Sequence, residues 1–288
     1  MKNFNEHNIT AAVQARVANA TSPRIREISD SLVRHLHTFL REVRPTEAEW
    51  AAGIDFLTRT GQMCSATRQE FILFSDTLGA SMLVDAINHP GGDGATETTV
   101  LGPFYVQGPP EFPLGADISE GLAGDRLLIE GNVKNTAGEP IGGATIDIWH
   151  SDPDGYYDVQ GPADAPLNMR GRLYADAAGN FWCRTIVPAP YPIPNDGPVG
   201  QMLEHQGRHP YRPAHVHFMI AADGYETLTT HVFLSHSPYL DSDVVFGVKD
   251  SLIHPLEKLP AGTSPGGHPI NQPIDLMRYN FVLSKQRK

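Results

Sequence analysis

The sequence predicts a mixed fold in which an α-helical N-terminal region precedes an antiparallel β-sandwich domain. Up to about residue 90, apolar residues recur at steps of three and four, which is typical of amphipathic helices. Beyond that point they alternate with a period of two between glycine and proline turns, which is typical of short strands in a sandwich or barrel. We therefore assign residues 1–97 to the helical region with its linker and residues 98–288 to the β-sandwich domain.

Three helices are predicted in the first region. The helix at residues 24–43 carries one apolar stripe that we expect to be buried: Ile25, Ile28, Leu32, Leu36, Phe39 and Val43. The next helix begins after Thr46, which forms with Glu49 the pattern of a capping box. A third helix is predicted from about residue 68 to residue 86, and the glycine-rich linker at 90–94 ends it.

The strands of the second region are predicted from β-branched and aromatic residues that alternate with polar ones. They lie at residues 127–133, 144–150, 172–174, 181–187 and 214–220. The sequence DAAGN at 176–180 predicts a hairpin turn between two of them. The tail at 262–288 is predicted to be irregular and partly exposed.

Composition argues against several classes of protein. The formal net charge of −11 disfavours a nucleic-acid partner, since a phosphate-binding surface needs an excess of Lys and Arg. No run approaches the roughly 20 apolar residues that cross a membrane. The N-terminus lacks the apolar core of a signal peptide, so we expect a cytoplasmic protein. Cys64 and Cys183 are isolated in the sequence, and we expect both to be free thiols.

His215 and His217 give the strongest local signal of chemistry. Residues two apart in a strand point to the same side, so the two imidazoles can chelate a transition metal. The pattern also fits two histidines on a solvated strand face, and further ligands must decide between these interpretations. Tyrosines in turn-rich segments are the available candidates: Tyr156 and Tyr157 follow a turn, and Tyr191 lies in a stiff, proline-rich segment.

An ordered set of motifs resembles the intradiol ring-cleaving dioxygenases. The motifs are LGPFYV at 101–106, DIWH at 147–150, GYY at 155–157, VPAPY at 187–191, GRH at 207–209 and RPAHVHF at 212–218. The likeness extends from RQEFIL at 68–73 to about Asp250, which is most of the chain. It implies an enzyme that uses non-haem Fe(III), one ion per subunit, to open an aromatic ring between two adjacent hydroxyls.

The resemblance implies a specific set of metal ligands. They are Tyr157, Tyr191, His215 and His217. Tyr157 is chosen over Tyr156 because the ligand of the family comes two residues after the glycine that Gly155 matches. Bound phenols ionise beside a metal cation, and hard anionic oxygens favour the ferric state. The resemblance also gives Tyr191 a catalytic role, since it leaves the metal and accepts a substrate proton, and it places Arg212 close to the substrate.

Within this family the chain resembles hydroxyquinol 1,2-dioxygenases, which form 3-hydroxy-cis,cis-muconate and maleylacetate. The motifs are YPIPNDGPVG at 191–200, THVF at 230–233, YLDSD at 239–243 and VFGVKD at 245–250. His231 stands where catechol-specific relatives usually have Gln. The implied substrate-binding residues are Met82, Asp85, Val100, Phe104, Ile193, Pro194 and Val245. We expect the Asp85 carboxylate to accept a hydrogen bond from the third hydroxyl and to lose about 1–3 kcal/mol when catechol leaves it unpaired.

Other functions stay open at this point. The diol could be catechol or a chlorocatechol, and a zinc hydrolase or a ferrous extradiol enzyme could use the same histidines. A β-sandwich binding module without catalytic activity is the non-enzymatic alternative. The resemblance further implies a homodimer joined through the N-terminal helices, in some members with a bound phospholipid there.

Overall fold

The protein is a mixed helix-and-sheet structure with helices at its N-terminus. The computed structural model describes residues 3–65, 68–91, 94–119, 121–162 and 165–286. The chain divides into two compact units, Met1–Arg59 and Thr60–Lys288. Residues 92–93 of the predicted linker lie outside the described residues. Among the described residues, none of the helices has both the length and the apolar character needed to span a membrane.

The helices before the first strand follow the predicted order with two differences. They are α1 (Ile9–Val17), α2 (Pro23–Val43), α3 (Glu47–Met63), α4 (Glu70–Thr77) and α5 (Ala80–Asn88). The capping box is confirmed, because Glu49 N donates to Thr46 Oγ1 at 3.2 Å and Thr46 N donates to Glu49 Oε2 at 2.7 Å. The sequence did not predict α1. The prediction of a single third helix was wrong, since Gly79 adopts a φ of 72° and separates α4 from α5.

The apolar stripe of α2 is exposed in the single chain. Its members, which the sequence analysis expected to be buried, are between 49% and 64% exposed: Ile25, Ile28, Leu32, Leu36, Phe39 and Val43. Trp50, Ile54 and Leu57 of α3 are exposed as well. The periodicity located the stripe correctly, but the expected burial was wrong for the single chain. A helical period shows which side chains share a face and not what covers that face.

The strands of the second unit include the five that the sequence predicted, each within two residues of the expected bounds. They are β1 (Arg126–Asn135), β2 (Thr145–His150), β3 (Arg170–Tyr174), β4 (Asn180–Ile186), β5 (Tyr191–Pro192), β6 (Tyr211–Arg212), β7 (His215–Ala221), β8 (Leu228–Leu234), β9 (Ile253–His254), β10 (Glu257–Leu259), β11 (Gly262–Thr263), β12 (Pro269–Ile270), β13 (Ile274–Arg278) and β14 (Phe281–Leu283). A further helix, α6 (Pro198–His205), lies between β5 and β6.

Two five-stranded sheets carry most of these strands. One has the order β10-β13-β1-β14, with β4 also paired to β1, and the other has the order β3-β2-β7-β8-β9. The expectation of antiparallel pairing needs correction, because β1 pairs in parallel with β13 and β14, and β8 pairs in parallel with β9. The prediction of an irregular tail at 262–288 was also wrong, since β13 and β14 bury Leu276, Met277 and Phe281 beside β1. Their partner strand lies more than 100 residues earlier, so no local sequence pattern predicts the pairing.

Residues 176–180 form a turn, but this turn connects two sheets. Gly179 N donates to the Asp176 carbonyl at 2.9 Å, as a tight turn requires. The flanking strands do not pair with each other: β3 pairs with β2, whereas β4 pairs with β1. The predicted hairpin was therefore wrong, although the turn itself is confirmed.

One hydrophobic core draws on both sheets. Ile129 of β1 and Phe181 of β4 belong to it together with Ile146 of β2 and Phe218 of β7. Side chains alternate along a strand, so Val216, Phe218 and Ile220 of β7 point to this core and its histidines point to the opposite face. That opposite face holds the candidate site.

Candidate metal centre

Strand β7 buries both histidines that the sequence singled out. His215 and His217 are each 1% exposed, and their Nε2 atoms lie 3.1 Å apart. His215 Nδ1 donates to the Pro213 carbonyl at 2.7 Å, because a carbonyl oxygen can only accept. The Nε2 lone pair of His215 is therefore left for the site, as in histidines that bind metals. The alternative of two histidines on a solvated face is excluded.

Two tyrosine hydroxyls meet this histidine pair. The Tyr157 hydroxyl lies 2.9 Å from His217 Nε2 and 3.4 Å from the Tyr191 hydroxyl. Both phenol rings are buried, whereas neighbouring Tyr156 is 61% exposed. The structure thus brings together all four side chains that the sequence predicted as ligands, from three separate segments of the chain.

Gly155 explains how the two tyrosine segments can approach each other. Its φ is +88°, and a Cβ built there would lie 2.9 Å from the Cβ of Tyr191. Any side chain at this position would therefore meet a positive φ and a steric clash at once. Tyr191 is fixed from the other side, since it pairs with Arg212 in the short ladder of β5 and β6.

A buried ion pair fixes the Tyr157 segment. Arg170 Nε donates to Asp158 Oδ2 at 2.7 Å, and Arg170 Nη1 donates to the Phe104 carbonyl at 2.9 Å. This arginine therefore links the residue after Tyr157 to Phe104. The Phe104 ring stacks on the Tyr157 ring with centroids 4.4 Å apart. The phenol is held by its backbone and by its ring face, which limits where its hydroxyl can go.

Burial controls the protonation of the site. Desolvation raises the pKa of Tyr157 well above its ordinary value, and the neighbouring Tyr191 phenol adds to this effect. Desolvation also raises the pKa of Tyr191. The pKa values of His215 and His217 are lowered well below the ordinary value by the same burial. Burial therefore favours the neutral form of both phenols and of both imidazoles. A cation bound among them would favour the ionised form of the phenols instead.

This donor set fits a ferric ion. The Nε2 atoms of the two histidines and the two phenol oxygens lie 2.9–3.4 Å from their nearest neighbours in this set, which is close enough for one ion to contact all four. Two phenols supply the hard anionic oxygens that stabilise a trivalent cation once they ionise.

A third buried imidazole belongs to the same site. His231 on β8 lies directly opposite His217 on β7. Ligand atoms of His215, His217 and His231 all lie within 4.8 Å of one another. Three histidines also form catalytic zinc sites, so this cluster alone fits the zinc alternative. The two buried tyrosine hydroxyls beside it are the feature that favours iron.

Arg212 is a buried cation in contact with two of these imidazoles. Its Nη1 lies 3.3 Å from His215 Nε2, and its Nη2 lies 3.4 Å from His231 Nδ1. Asp243 accepts hydrogen bonds from Arg212 Nε at 3.0 Å and from Arg212 Nη2 at 3.2 Å. Sequence reasoning gave Asp243 no role, although it lies in the YLDSD motif.

The expected substrate-binding residues fall into separate groups. Phe104 packs in one cluster with Tyr157 and Tyr191. Val100, Ile193 and Val245 pack together in another apolar cluster. Met82 and Asp85 lie on α5, and Pro194 follows Ile193; Met82 and Pro194 are half-buried.

The Asp85 carboxylate already has three partners. Thr98 Oγ1 donates to Asp85 Oδ2 at 3.0 Å, and His89 Nδ1 lies 2.9 Å from Asp85 Oδ1. Lys249 Nζ lies 3.5 Å from Asp85 Oδ2. The expectation that catechol leaves this carboxylate unpaired was therefore wrong, and the energetic difference between diols is smaller than a fully unpaired carboxylate implies.

Comparison with known proteins agrees with this site. Residues 101–285 match the family model described as dioxygenase, and residues 22–96 match the model described as catechol dioxygenase N terminus. A 6-chlorohydroxyquinol 1,2-dioxygenase of Cupriavidus pinatubonensis is 54% identical over 253 residues, which cover 88% of this chain and 92% of the relative. A hydroxyquinol 1,2-dioxygenase of Nocardioides simplex is 46% identical, over 97% of this chain and 95% of the relative.

Solved structures give the same result. The hydroxyquinol 1,2-dioxygenase from Pseudomonas putida DLL-E4 has a TM-score of 0.92 at 48% identity and covers 98% of this chain and 99% of its own. The catechol 1,2-dioxygenase from Pseudomonas arvilla C-1 has a TM-score of 0.84 at 28% identity, over 99% of this chain and 95% of its own. The chain therefore belongs to the intradiol ring-cleavage dioxygenases, an iron-dependent family of enzymes.

Proposed function

We propose that this protein cleaves hydroxyquinol between its two adjacent hydroxyls with O2, giving 3-hydroxy-cis,cis-muconate and its tautomer maleylacetate. The observation that carries the proposal is the convergence of two buried phenols and two buried imidazoles: Tyr157, Tyr191, His215 and His217. The choice of hydroxyquinol is supported by relatives named for hydroxyquinol or 6-chlorohydroxyquinol, which are 46–54% identical to this chain.

These four side chains would hold one Fe(III) per subunit. When bound, the ferric ion supplies Lewis acidity toward the two diol oxygens. Two phenolates and one hydroxide balance its three charges, so the site needs no carboxylate. Tyrosinate bound to ferric iron also absorbs visible light, which gives the loaded protein a red-brown colour that zinc cannot give.

Tyr191 would accept a proton during the reaction, and Arg212 would stabilise negative charge on the substrate. Tyr191 accepts a diol proton on its phenolate oxygen, and burial favours the neutral phenol that results. Arg212 is buried and permanently charged, so its field acts through a medium that screens it weakly. We expect it to stabilise negative charge on the substrate by a few kcal/mol, as one well-placed donor does.

The apolar residues around the site would form the walls that hold the ring and exclude water. We assign Phe104, Val100, Ile193 and Val245 to these walls, with Met82 and Pro194 at their edge. Asp85 would accept the hydrogen bond of the third hydroxyl, since its carboxylate keeps an acceptor position beyond its protein partners. Catechol or chlorocatechol as the main substrate is the alternative, and the structural likeness to a catechol enzyme supports it.

We also propose a functional division into a dimerisation and linker region at 1–97 and a β-sandwich catalytic domain at 98–288, although the compact units divide after Arg59. The exposed apolar stripe of α2 supports a homodimer formed through the helices, with a phospholipid as a further ligand of that surface. Light scattering tests the dimer, and mass spectrometry of solvent extracts tests the lipid. Location in the cytoplasm stays a prediction that cell fractionation can test.

An oxygen-uptake assay with hydroxyquinol, catechol and chlorocatechols tests the main proposal, with the ring-opened product followed by its ultraviolet spectrum. We expect a red-brown protein that consumes one O2 per ring and has its highest kcat/KM for hydroxyquinol. A folded, colourless protein that binds zinc and consumes no O2 would instead support the hydrolase. A folded protein that binds no metal and has no activity would support the binding module.

A further inference from the structure

We propose that Asp243 is a positioning residue for catalysis: it orients the Arg212 guanidinium so that Nη1 faces His215 and the reacting groups beside it. This inference rests on the proposed function, because it assumes that Arg212 acts on a bound diol. It gives a role to Asp243, a member of the YLDSD motif to which the sequence alone assigned none.

The pair is buried and its geometry is bidentate. Arg212 is 2% exposed and Asp243 is 5% exposed. Arg212 Nε donates to Asp243 Oδ1 at 3.0 Å, and Arg212 Nη2 donates to Asp243 Oδ2 at 3.2 Å. Two parallel hydrogen bonds fix both the position and the plane of a guanidinium, which a single contact cannot do.

The carboxylate is itself held by the turn that follows it. Gly247 N donates to Asp243 Oδ2 at 2.9 Å, and Val245 N donates to Asp243 Oδ1 at 3.4 Å. A Cβ on Gly247 would lie 3.0 Å from Arg212 Nη2 and 3.2 Å from Asp243 Oδ2. The turn therefore packs directly against the ion pair, and two backbone N–H groups hold the carboxylate in place.

This arrangement leaves Nη1 of the guanidinium without a bond to Asp243, so that it can donate toward the site. Asp243 accepts from Nε and Nη2, and Nη2 also lies 3.4 Å from His231 Nδ1. Nη1 makes no bond to Asp243 and lies 3.3 Å from His215 Nε2. A metal that binds through the same His215 lone pair would remove this acceptor from Nη1. An Nη1 hydrogen would then be available for a negatively charged diol oxygen, beside the Tyr191 hydroxyl with which Arg212 also forms a hydrogen bond.

The main test replaces the carboxylate by an amide of nearly the same shape. Asp243→Asn can still accept one hydrogen bond from Arg212, but it loses the charge and one of the two acceptors. We expect kcat for hydroxyquinol to fall about 10- to 100-fold, the loss typical of a charge-assisted contact. The iron content and the visible absorption band should match those of the wild type, and KM should change much less than kcat.

A double-mutant cycle separates positioning from a general structural effect. If Asp243 acts through Arg212, then Asp243→Asn should have little further effect on kcat in an Arg212→Ala background. Glu130→Gln serves as the matched control, because Glu130 is a buried carboxylate of β1 that is bound by Ser264 and Gly266. We expect this control to lower Tm without changing kcat per bound iron.

Asp243→Glu decides the case if the asparagine variant does not fold. It keeps the charge but shifts the carboxylate by one methylene, so we expect full iron, and a kcat between those of the wild type and Asp243→Asn. A wild-type kcat in either variant, or equal losses in the presence and absence of Arg212, would overturn the proposal. If Arg212→Ala itself keeps full kcat, the proposed role of Arg212 fails instead.

Discussion

Lys249 Nζ lies 3.5 Å from Oδ2 of Asp85 and donates a hydrogen bond of 2.6 Å to the Thr98 carbonyl. The same Asp85 oxygen accepts from the Thr98 hydroxyl, so all three residues form one network at the C-terminal end of α5. The lysine neutralises a carboxylate whose side chain is only 9% exposed. A carboxylate with these partners can accept a further hydrogen bond from the third hydroxyl of hydroxyquinol. It also keeps its protein partners when catechol, which lacks that hydroxyl, is bound.

This network predicts a moderate and measurable effect on substrate preference. Asp85→Ala should lower the ratio of kcat/KM for hydroxyquinol to that for catechol about tenfold, because a hydrogen bond to a charged acceptor contributes about 1.5 kcal/mol. Asp55→Ala, which removes an exposed carboxylate of α3 paired with Arg59, should leave the ratio unchanged. Steady-state kinetics with both diols measures it. An unaltered ratio in the Asp85 variant would remove this residue from the specificity argument.

The two adjacent tyrosines make a matched pair for testing the metal ligands. Tyr157→Phe removes a buried hydroxyl that lies 2.9 Å from His217 Nε2, and we expect loss of the visible band and most of the bound iron. Tyr156→Phe removes a hydroxyl from an exposed ring and should change neither. Metal analysis and absorption spectra of the two purified variants measure the difference. Full colour in Tyr157→Phe would mean that another residue supplies the phenolate.

Gly155 predicts a steric effect that reaches the site. Gly155→Ala introduces a Cβ at φ +88° and 2.9 Å from Tyr191 Cβ, so we expect a loss of about 2–4 kcal/mol and weaker iron binding. Gly138→Ala is the control, since Gly138 has a φ of +83° with nothing within 4 Å of the added atom. It should lose only about 1 kcal/mol and keep its iron. Urea unfolding with metal analysis measures both; equal losses would argue against the contact with Tyr191.

His150 predicts how stability depends on pH. Burial lowers the pKa of this histidine to about 4 in the folded protein, whereas an unfolded histidine titrates near 6.5. Above pH 6.5 both states are neutral and the full stability is present. Between pH 6.5 and 4 only the unfolded state binds the proton, so each falling pH unit removes up to about 1.4 kcal/mol. The buried histidines of the metal site act in the same direction.

The contribution of His150 is isolated by comparison with a variant. His150→Gln can still reach the Thr185 hydroxyl, which lies 2.7 Å from His150 Nε2, but it does not titrate. We expect the variant to be less stable at pH 7. On acidification it should lose stability less steeply, because its unfolding takes up about one proton fewer than unfolding of the wild type. His7→Gln, at a side chain that is 83% exposed, should keep the wild-type slope. Urea unfolding of metal-free protein at pH 7, 6 and 5 measures the slopes, and parallel slopes would contradict the assignment.

The sequence alone determined features that depend on neighbours along the chain. The period of two placed His215 and His217 on one face, and Thr46 and Glu49 formed the capping box that their spacing predicts. The apolar stripe of α2 lies where the helical period put it. The choice of Tyr157 over Tyr156 came from motif likeness, and the structure buries the first and exposes the second.

Only the tertiary structure decided features that join distant segments. The tail strands β13 and β14 pair with β1, the turn at 176–180 connects two sheets, and Asp243 holds Arg212 from 31 residues away. A local period or turn signal does not specify which partner each of these segments meets, because that depends on which surfaces remain available after the rest of the chain has packed. Local spacing fixes where a side chain points, whereas the partner that it meets is fixed by the packing of the whole domain.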